Sequence, residues 1–157
     1  MKERRGSLDV SGRRFAIAAA SFNEMVVGKL VEGALACFRA HGAAEDASEL
    51  AWVPGAFELP LLARRFAESG RYDAVVCLGA IVRGETPLFD VIAREAARGI
   101  QDAALATGVP VTLGVLTTDT VAQALERAGG SSGNKGWDAA LAAIHMAAVL
   151  GEIEKGE

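Results

Sequence analysis

The chain has 157 residues, enough for one domain with a real buried core, and it is read here as a single unit spanning 1–157. Its hydrophobic fraction is 51% and its aromatic fraction only 6%, so the core must consist mainly of Ala, Val, Leu and Ile. With 16 Lys and Arg against 20 Asp and Glu the net charge is −4, which argues against a nucleic-acid partner.

Strand-like and helix-like segments alternate. Arg14 to Ala20 is a short apolar run, broken by the polar Ser21-Phe22-Asn23. Val27, Leu30, Val31, Ala34 and Phe38 then recur at helical spacing, and that helix stops near His41-Gly42. Leu50 to Val53 reads as a second strand, halted by Pro54-Gly55. A helix from Phe57 to Ser69 follows, with Pro60 tolerated in its first turn and Gly70 closing it. Ala74 to Ala80 is the strongest strand. The loop Val82 to Pro87 leads into a long helix whose inner stripe is Ile92, Ala96, Ile100 and Ala103, ended by Gly108. Val111 to Leu116 is the fourth strand. Thr120 and Gln123 have capping-box spacing and open a short helix. Gly129 to Gly133 reads as a flexible turn, and the last helix buries Trp137, Leu141, Ile144 and Ala148.

The four strands are continuous apolar runs rather than alternating ones, which implies burial on both faces. The fold class is therefore α/β: a three-layer sandwich with a four-stranded parallel sheet between helices. Ligands in such folds bind beyond the carboxyl ends of the strands. Those ends carry Ser21-Phe22-Asn23, Pro54 to Glu58, Ile81 to Pro87, and Thr117-Thr118.

No apolar run reads as long enough to span a bilayer, and no apolar signal segment follows the charged start. No membrane partner is expected, and the cytoplasm is the expected location. Cys37 and Cys77 lie in apolar segments and read as buried thiols rather than as a disulfide or nucleophile. His41 and His145 have no metal-ligand spacing, so no metal site is expected.

Several loop residues could carry chemistry, each beside a plainer role. Gly84-Glu85-Thr86 sits where backbone N–H groups at a helix start could hold an anion, or it is an ordinary turn. Glu58 is either a helix-start carboxylate stabilised by the dipole or an acceptor for a polyol or amide. Phe22 is a stacking platform or a core plug. Arg127 and Lys135 either supply charge to an anion or are solvated surface residues.

Together these segments resemble the lumazine synthase family. The resemblance rests on Ser21-Phe22-Asn23, Trp52 to Pro60, Gly79 to Pro87, Pro110 to Thr117, Gln123 to Gly129 and Gly133 to Trp137, in the family's order and spacing. It covers about Gly6 to Met146. The blocks Val53-Pro54-Gly55-Ala56-Phe57-Glu58 and Gly133-Asn134-Lys135-Gly136 are its most specific parts.

The resemblance implies a flavodoxin-like sandwich and a riboflavin-biosynthesis transferase. Such an enzyme condenses 5-amino-6-(D-ribitylamino)uracil with 3,4-dihydroxy-2-butanone 4-phosphate and needs no cofactor or metal. An amine attacks a ketone to form a Schiff base, phosphate is eliminated, and the ring closes. By position, Phe22 would stack on the pyrimidine, beside Asn23. Ala56, Phe57 and Glu58 would hold the ribityl chain and ring edge, and backbone groups of Ala80, Ile81 and Val82 would read the ring. Gly84, Glu85 and Thr86, with Arg127, would bind phosphate, and Lys135 would help to hold the polar substrate. A neighbouring subunit of a homo-pentamer would contribute Leu113. The short connection Ala128 to Gly136 resembles that of relatives whose pentamers close into a sixty-subunit icosahedral shell, although the tail Gly151 to Glu157 is acidic.

Three positions depart from the family pattern. Leu88 stands where the family usually has a proton-shuttling His and cannot act as a base. Ser21 stands where Arg is usual, and Leu113 where Phe is frequent. The main reading is a synthase slowed by these changes. The alternatives are a non-catalytic or engineered relative acting as an assembly scaffold, and a flavodoxin-like small-ligand binder outside the family.

Overall fold

Strand β1, Phe15–Ala20, has no residue in contact with water, and its side chains divide by parity. Phe15, Ile17 and Ala19 join one apolar cluster, while Ala16, Ala18 and Ala20 join a second. Successive strand side chains point to opposite faces, so such a strand needs a helical layer on each side. Strand β3, Ala74–Val82, repeats the pattern, with Ala74, Val76 and Leu78 on the first face and Val75 and Cys77 on the second.

A computed structural model of the chain describes residues 1–156 and supplies both layers; Glu157, the end of the acidic tail, lies outside the described residues. Helices α1 (Glu24–Ala40) and α5 (Lys135–Lys155) cover the first face. Helices α2 (Leu59–Glu68) and α3 (Leu88–Thr107) cover the second. With β2 (Ser48–Val53) and β4 (Val111–Thr118), the sheet order is β2-β1-β3-β4, and all three pairings are parallel. This is the three-layer α/β sandwich expected from the apolar runs.

Burial on both faces holds only for the two central strands. No residue of β2 is fully buried, and β4 alternates along part of its length. Both are edge strands, with a pairing partner on one side only. Strand β4 also runs past its expected end: Ile81 pairs with Thr117 and Val82 with Thr118. That extension carries the sheet further toward the loops.

Smaller differences have local causes. The helix expected from Phe57 begins as a separate 3-10 turn, Ala56–Glu58, before α2 starts with Pro60 in its first turn. Helix α4, Val121–Glu126, has the expected capping box. Thr120 Oγ1 accepts from the Gln123 N–H at 3.1 Å, and the Gln123 side chain accepts from the Thr120 N–H at 3.2 Å. The supposed flexible turn at Gly129 to Gly133 is a bulged antiparallel hairpin of β5 (Ala128–Gly130) and β6 (Gly133–Asn134). Ile144 and Ala148 of α5 are buried as expected, whereas Trp137 and Leu141 are only half-buried.

Helix α5 corrects one sequence reading. It reaches bilayer-spanning length with a mean hydropathy of 1.2, although charged residues interrupt it. Its apolar residues Ala139, Ala140, Ala143 and Ile144 pack in the cluster shared with α1 and the sheet, so it is built as a core helix.

The α1–α5 contact explains the Gly133-Asn134-Lys135-Gly136 block. Asn134 Oδ1 accepts from the N–H groups of Gly136 at 2.8 Å and Trp137 at 3.1 Å, capping α5. Its Nδ2 donates to the Lys29 carbonyl of α1 at 3.1 Å. A β-carbon at Gly136 would overlap the Leu30 carbonyl, and one at Gly33 would overlap the Asn134 side chain. The two helices thus meet backbone to backbone, and only glycine permits it.

Cys37 and Cys77 are free and buried, on opposite faces of the sheet. Burial pushes the Cys77 thiol up to about 12. Burial and then the charge of Asp138 push Cys37 up to about 11. Thiolate is the reactive form, and raising the pKa removes it at neutral pH. A thiol reagent at pH 8 is therefore expected to find no reactive thiol in the native protein and both after unfolding, which a colorimetric thiol titration with and without denaturant checks.

Candidate active site

The loops at the carboxyl ends of β1 and β2 are tied together by backbone bonds, and a side chain ties them to β3. The Ser21 N–H donates to the Val53 carbonyl at 2.8 Å, and the Phe22 N–H to the Pro54 carbonyl at 2.9 Å. The Ser21 hydroxyl also donates to Val53 O at 3.1 Å, so this residue finishes the β1–β2 junction. Asn23 has φ 63°, in the left-handed region that Asn tolerates better than most residues. Its Nδ2 donates to the Ala80 carbonyl at 2.8 Å, and its own carbonyl accepts from Val26 and Val27 at 3.0 Å. Asn23 therefore starts α1 and pins the loop to β3, leaving Phe22 73% exposed.

Beside Phe22 opens a cavity of about 460 Å³. One wall is Pro54, Gly55, Ala56, Phe57 and Glu58; the floor is Ala80, Ile81 and Val82; the far wall is Gly84, Thr86, Leu88, Phe89 and Ile92. Glu58 is the one titratable side chain in this lining. It occupies the cap position of α2 but makes no capping hydrogen bond, so its oxygens remain available to a ligand. No protein acceptor is found for the N–H groups of Gly84, Glu85 and Thr86 among the described residues. Leu88, the first residue of α3, is 58% exposed and adds an apolar surface to the lining.

A second, polar cavity of about 330 Å³ adjoins the first and shares Phe89 with it. Arg83, Thr117, Thr118, Asp119, Gln123 and Arg127 line the rest. Arg127 donates from Nη1 to the Gln123 carbonyl at 3.0 Å and lies 3.8 Å from Glu126. Arg83 donates from Nε to Asp119 Oδ1 at 2.9 Å; that bond, and then the nearby Asp90 and Asp119 charges, push its already high pKa further up.

The structure thus brings together Phe22, Ala56, Phe57, Glu58, Ala80, Ile81, Val82, Gly84, Thr86 and Leu88. Arg127 stands in the adjoining cavity, and Asn23 works from behind the loop. Three candidates stand apart within this chain. Glu85 is exposed but lines neither cavity. Lys135 begins α5, where its N–H donates to the Arg127 carbonyl at 2.8 Å. Leu113, on the edge strand β4, is 44% exposed in a separate hollow with Asp90 and Arg94. In the isolated chain the side chains of Lys135 and Leu113 are exposed.

Phe89, Ile92 and Arg83 were missed as site residues. The α3 stripe Ile92, Ala96, Ile100 extends back one turn to Phe89, so periodicity carried that signal. Arg83 gave none, because its partner Asp119 lies on another strand end. Among the described residues no three His, Cys, Asp or Glu side chains cluster to hold a metal ion.

The sequence profile of the 6,7-dimethyl-8-ribityllumazine synthase family matches residues 12–151. Proteins named 6,7-dimethyl-8-ribityllumazine synthase from two strains of Clostridium kluyveri are each 49% identical over 154 residues, covering 98% of this chain and 100% of theirs. The matched region contains the whole sheet, both cavities and the helix-capping Asn134. This chain belongs to the 6,7-dimethyl-8-ribityllumazine synthase family.

Proposed function

We propose that this protein condenses 5-amino-6-(D-ribitylamino)uracil with 3,4-dihydroxy-2-butanone 4-phosphate. The observation that carries the reading is the adjoining pair of cavities: an apolar one holding a single carboxylate, and a polar one holding Arg127, with Phe89 between them. A flat, apolar-faced ring with a polyol arm suits the first. Phe22 offers it a ring face, and Glu58 an acceptor for N–H and hydroxyl groups. A phosphate suits the second, where Arg127 supplies a guanidinium; the amides of Gly84 and Thr86, which have no protein acceptor, belong to the lining of the adjoining first cavity.

Holding the two reactants side by side accounts for most of the rate. Well-oriented pairs reach effective molarities of about 10⁵–10⁸ M. The amine then attacks the ketone, water leaves as the Schiff base forms, phosphate is eliminated, and the ring closes as the second nitrogen attacks the remaining carbonyl and a second water leaves. Leu88 cannot move protons in these steps. Proton transfer falls to Glu58, the one titratable lining residue, and to solvent.

A His at position 88 would sit in the first turn of α3, where the helix dipole disfavours its protonated form and keeps a neutral base available. Leu88→His is therefore expected to raise turnover by about 10²-fold, the lower end of what general acid–base catalysis contributes. KM for the ribityl substrate should stay within a few-fold. Steady-state kinetics of the two proteins side by side checks this, and no gain in rate would count against a missing proton shuttle. Arg127→Ala should raise KM for the phosphate substrate about 10–150-fold, the equivalent of a charge-assisted bond of about 1.5–3 kcal/mol. KM for the ribityl substrate should change far less; equal losses would make Arg127 a structural residue.

The active unit is an assembly of at least a pentamer. The unpaired edge of β2, exposed Trp52, and exposed Phe22 and Phe57 at the cavity mouth all suit cover by a neighbour. Leu113, remote from its own chain's cavity, would then complete the site of the next subunit. The short hairpin before α5 leaves this helix accessible to adjacent pentamers, which favours a closed shell. Light scattering with electron microscopy in neutral buffer should show particles far larger than a pentamer. Particles no larger than a pentamer pair at every concentration would exclude the shell, and monomers would exclude the shared site.

A further inference from the structure

Arg83 follows the last residue of β3, and its backbone N–H donates to the Thr118 carbonyl at 2.9 Å. Its guanidinium then reaches two further elements. Nε donates to Asp119 Oδ1 at 2.9 Å, just beyond β4. Nη1 lies 3.6 Å from Asp90 Oδ2 in the first turn of α3, and Cζ lies 4.3 Å from the centre of the Phe89 ring. A guanidinium donates along its edge and stacks through its face, and here both are in use. The ends of β3 and β4 and the start of α3 are joined through this one side chain.

These pairs are exposed, with side-chain accessibilities of 47% for Arg83, 50% for Asp90 and 68% for Asp119. Ion pairs so exposed add little to folding stability. Their placement matters more. Phe89 is shared by the apolar and polar cavities, so what holds its ring holds the partition between them. Asp119 lines the polar cavity, where a bare carboxylate would repel an anion. Two arginines and one aspartate line that cavity, +2 − 1 = +1; without Arg83 the balance is zero.

Resting on the synthase reading of this site, we propose that Arg83 is a positioning residue for the phosphate substrate. It steadies Phe89 between the two subsites and neutralises Asp119, so that Asp119 does not repel an anion held by Arg127. Arg83 is spent on its own partners, and its contribution to phosphate binding passes through Asp119.

A two-residue cycle separates this role from direct phosphate binding and from a merely structural one. Calorimetry would measure inorganic phosphate affinity for the wild type, Arg83→Gln, Asp119→Asn and the double variant, with KM for both substrates and melting temperature alongside. Arg83→Gln should weaken phosphate about three- to tenfold, the effect of one uncompensated charge several ångströms away in a solvated cavity. Its KM for the phosphate substrate should rise to match, with the melting temperature little changed. Asp119→Asn should bind phosphate at least as tightly as the wild type. The double variant should recover most of the loss, because the repelling carboxylate is gone. A double variant no better than Arg83→Gln would overturn the proposal in favour of direct contact, and wild-type protein that binds no phosphate would overturn it too. The failure of the synthase reading looks different: wild-type protein that makes no lumazine, whatever the phosphate cycle shows.

Discussion

Strands β1 and β3 lie between two helical layers, with the whole of β1 and the first seven residues of β3 shielded from water. That double burial is the constraint from which the rest follows. It requires small and branched side chains on both faces, a helix on either side, and parallel crossovers that return each strand in the same direction. All four strands then end at one edge of the sheet. The Asn23–Ala80 bond and the Ser21 and Phe22 bonds to the β2 end exist because those ends are neighbours. Phe22, Glu58 and the pair Leu88-Phe89, which belong to three separate segments, come to one cavity for the same reason.

Much of this was legible in the residues. Continuous apolar runs named the central strands, and glycines and prolines marked the turns. The Thr120–Gln123 spacing located α4, because a capping box is a local motif whose two bonds close within four residues. The cavity residues were legible as a set, since nearly all sit at strand ends. Where the reading went astray, partners distant in sequence decided the outcome. β2 and β4 look like buried strands in composition, yet their exposure depends on their place in the sheet order. Gly129 to Gly133 looks flexible by composition, yet the chain there closes a hairpin and Asn134 anchors it to α1.

Arg83 and Asp119 illustrate the same limit within the site. They are 36 positions apart, and no local spacing joins them. Only the Val82–Thr118 register of β3 and β4 places the guanidinium beside the carboxylate. Lys135 and Leu113 show the converse. The family resemblance led to expecting both in the site, but neither reaches the cavity of its own chain. Such roles become physical only when a second subunit is placed against the exposed edge.

The polar and apolar cavities meet at Phe89, and the chemistry proposed for them is mostly a matter of placement. An apolar residue at position 88 is compatible with that view, because proximity contributes more than proton transfer in such a condensation. The most direct test is the wild-type protein itself, given both substrates, with lumazine absorbance and released phosphate followed together. This account predicts equimolar lumazine and phosphate, formed faster than in the protein-free mixture. A rate equal to that of the protein-free mixture would contradict it.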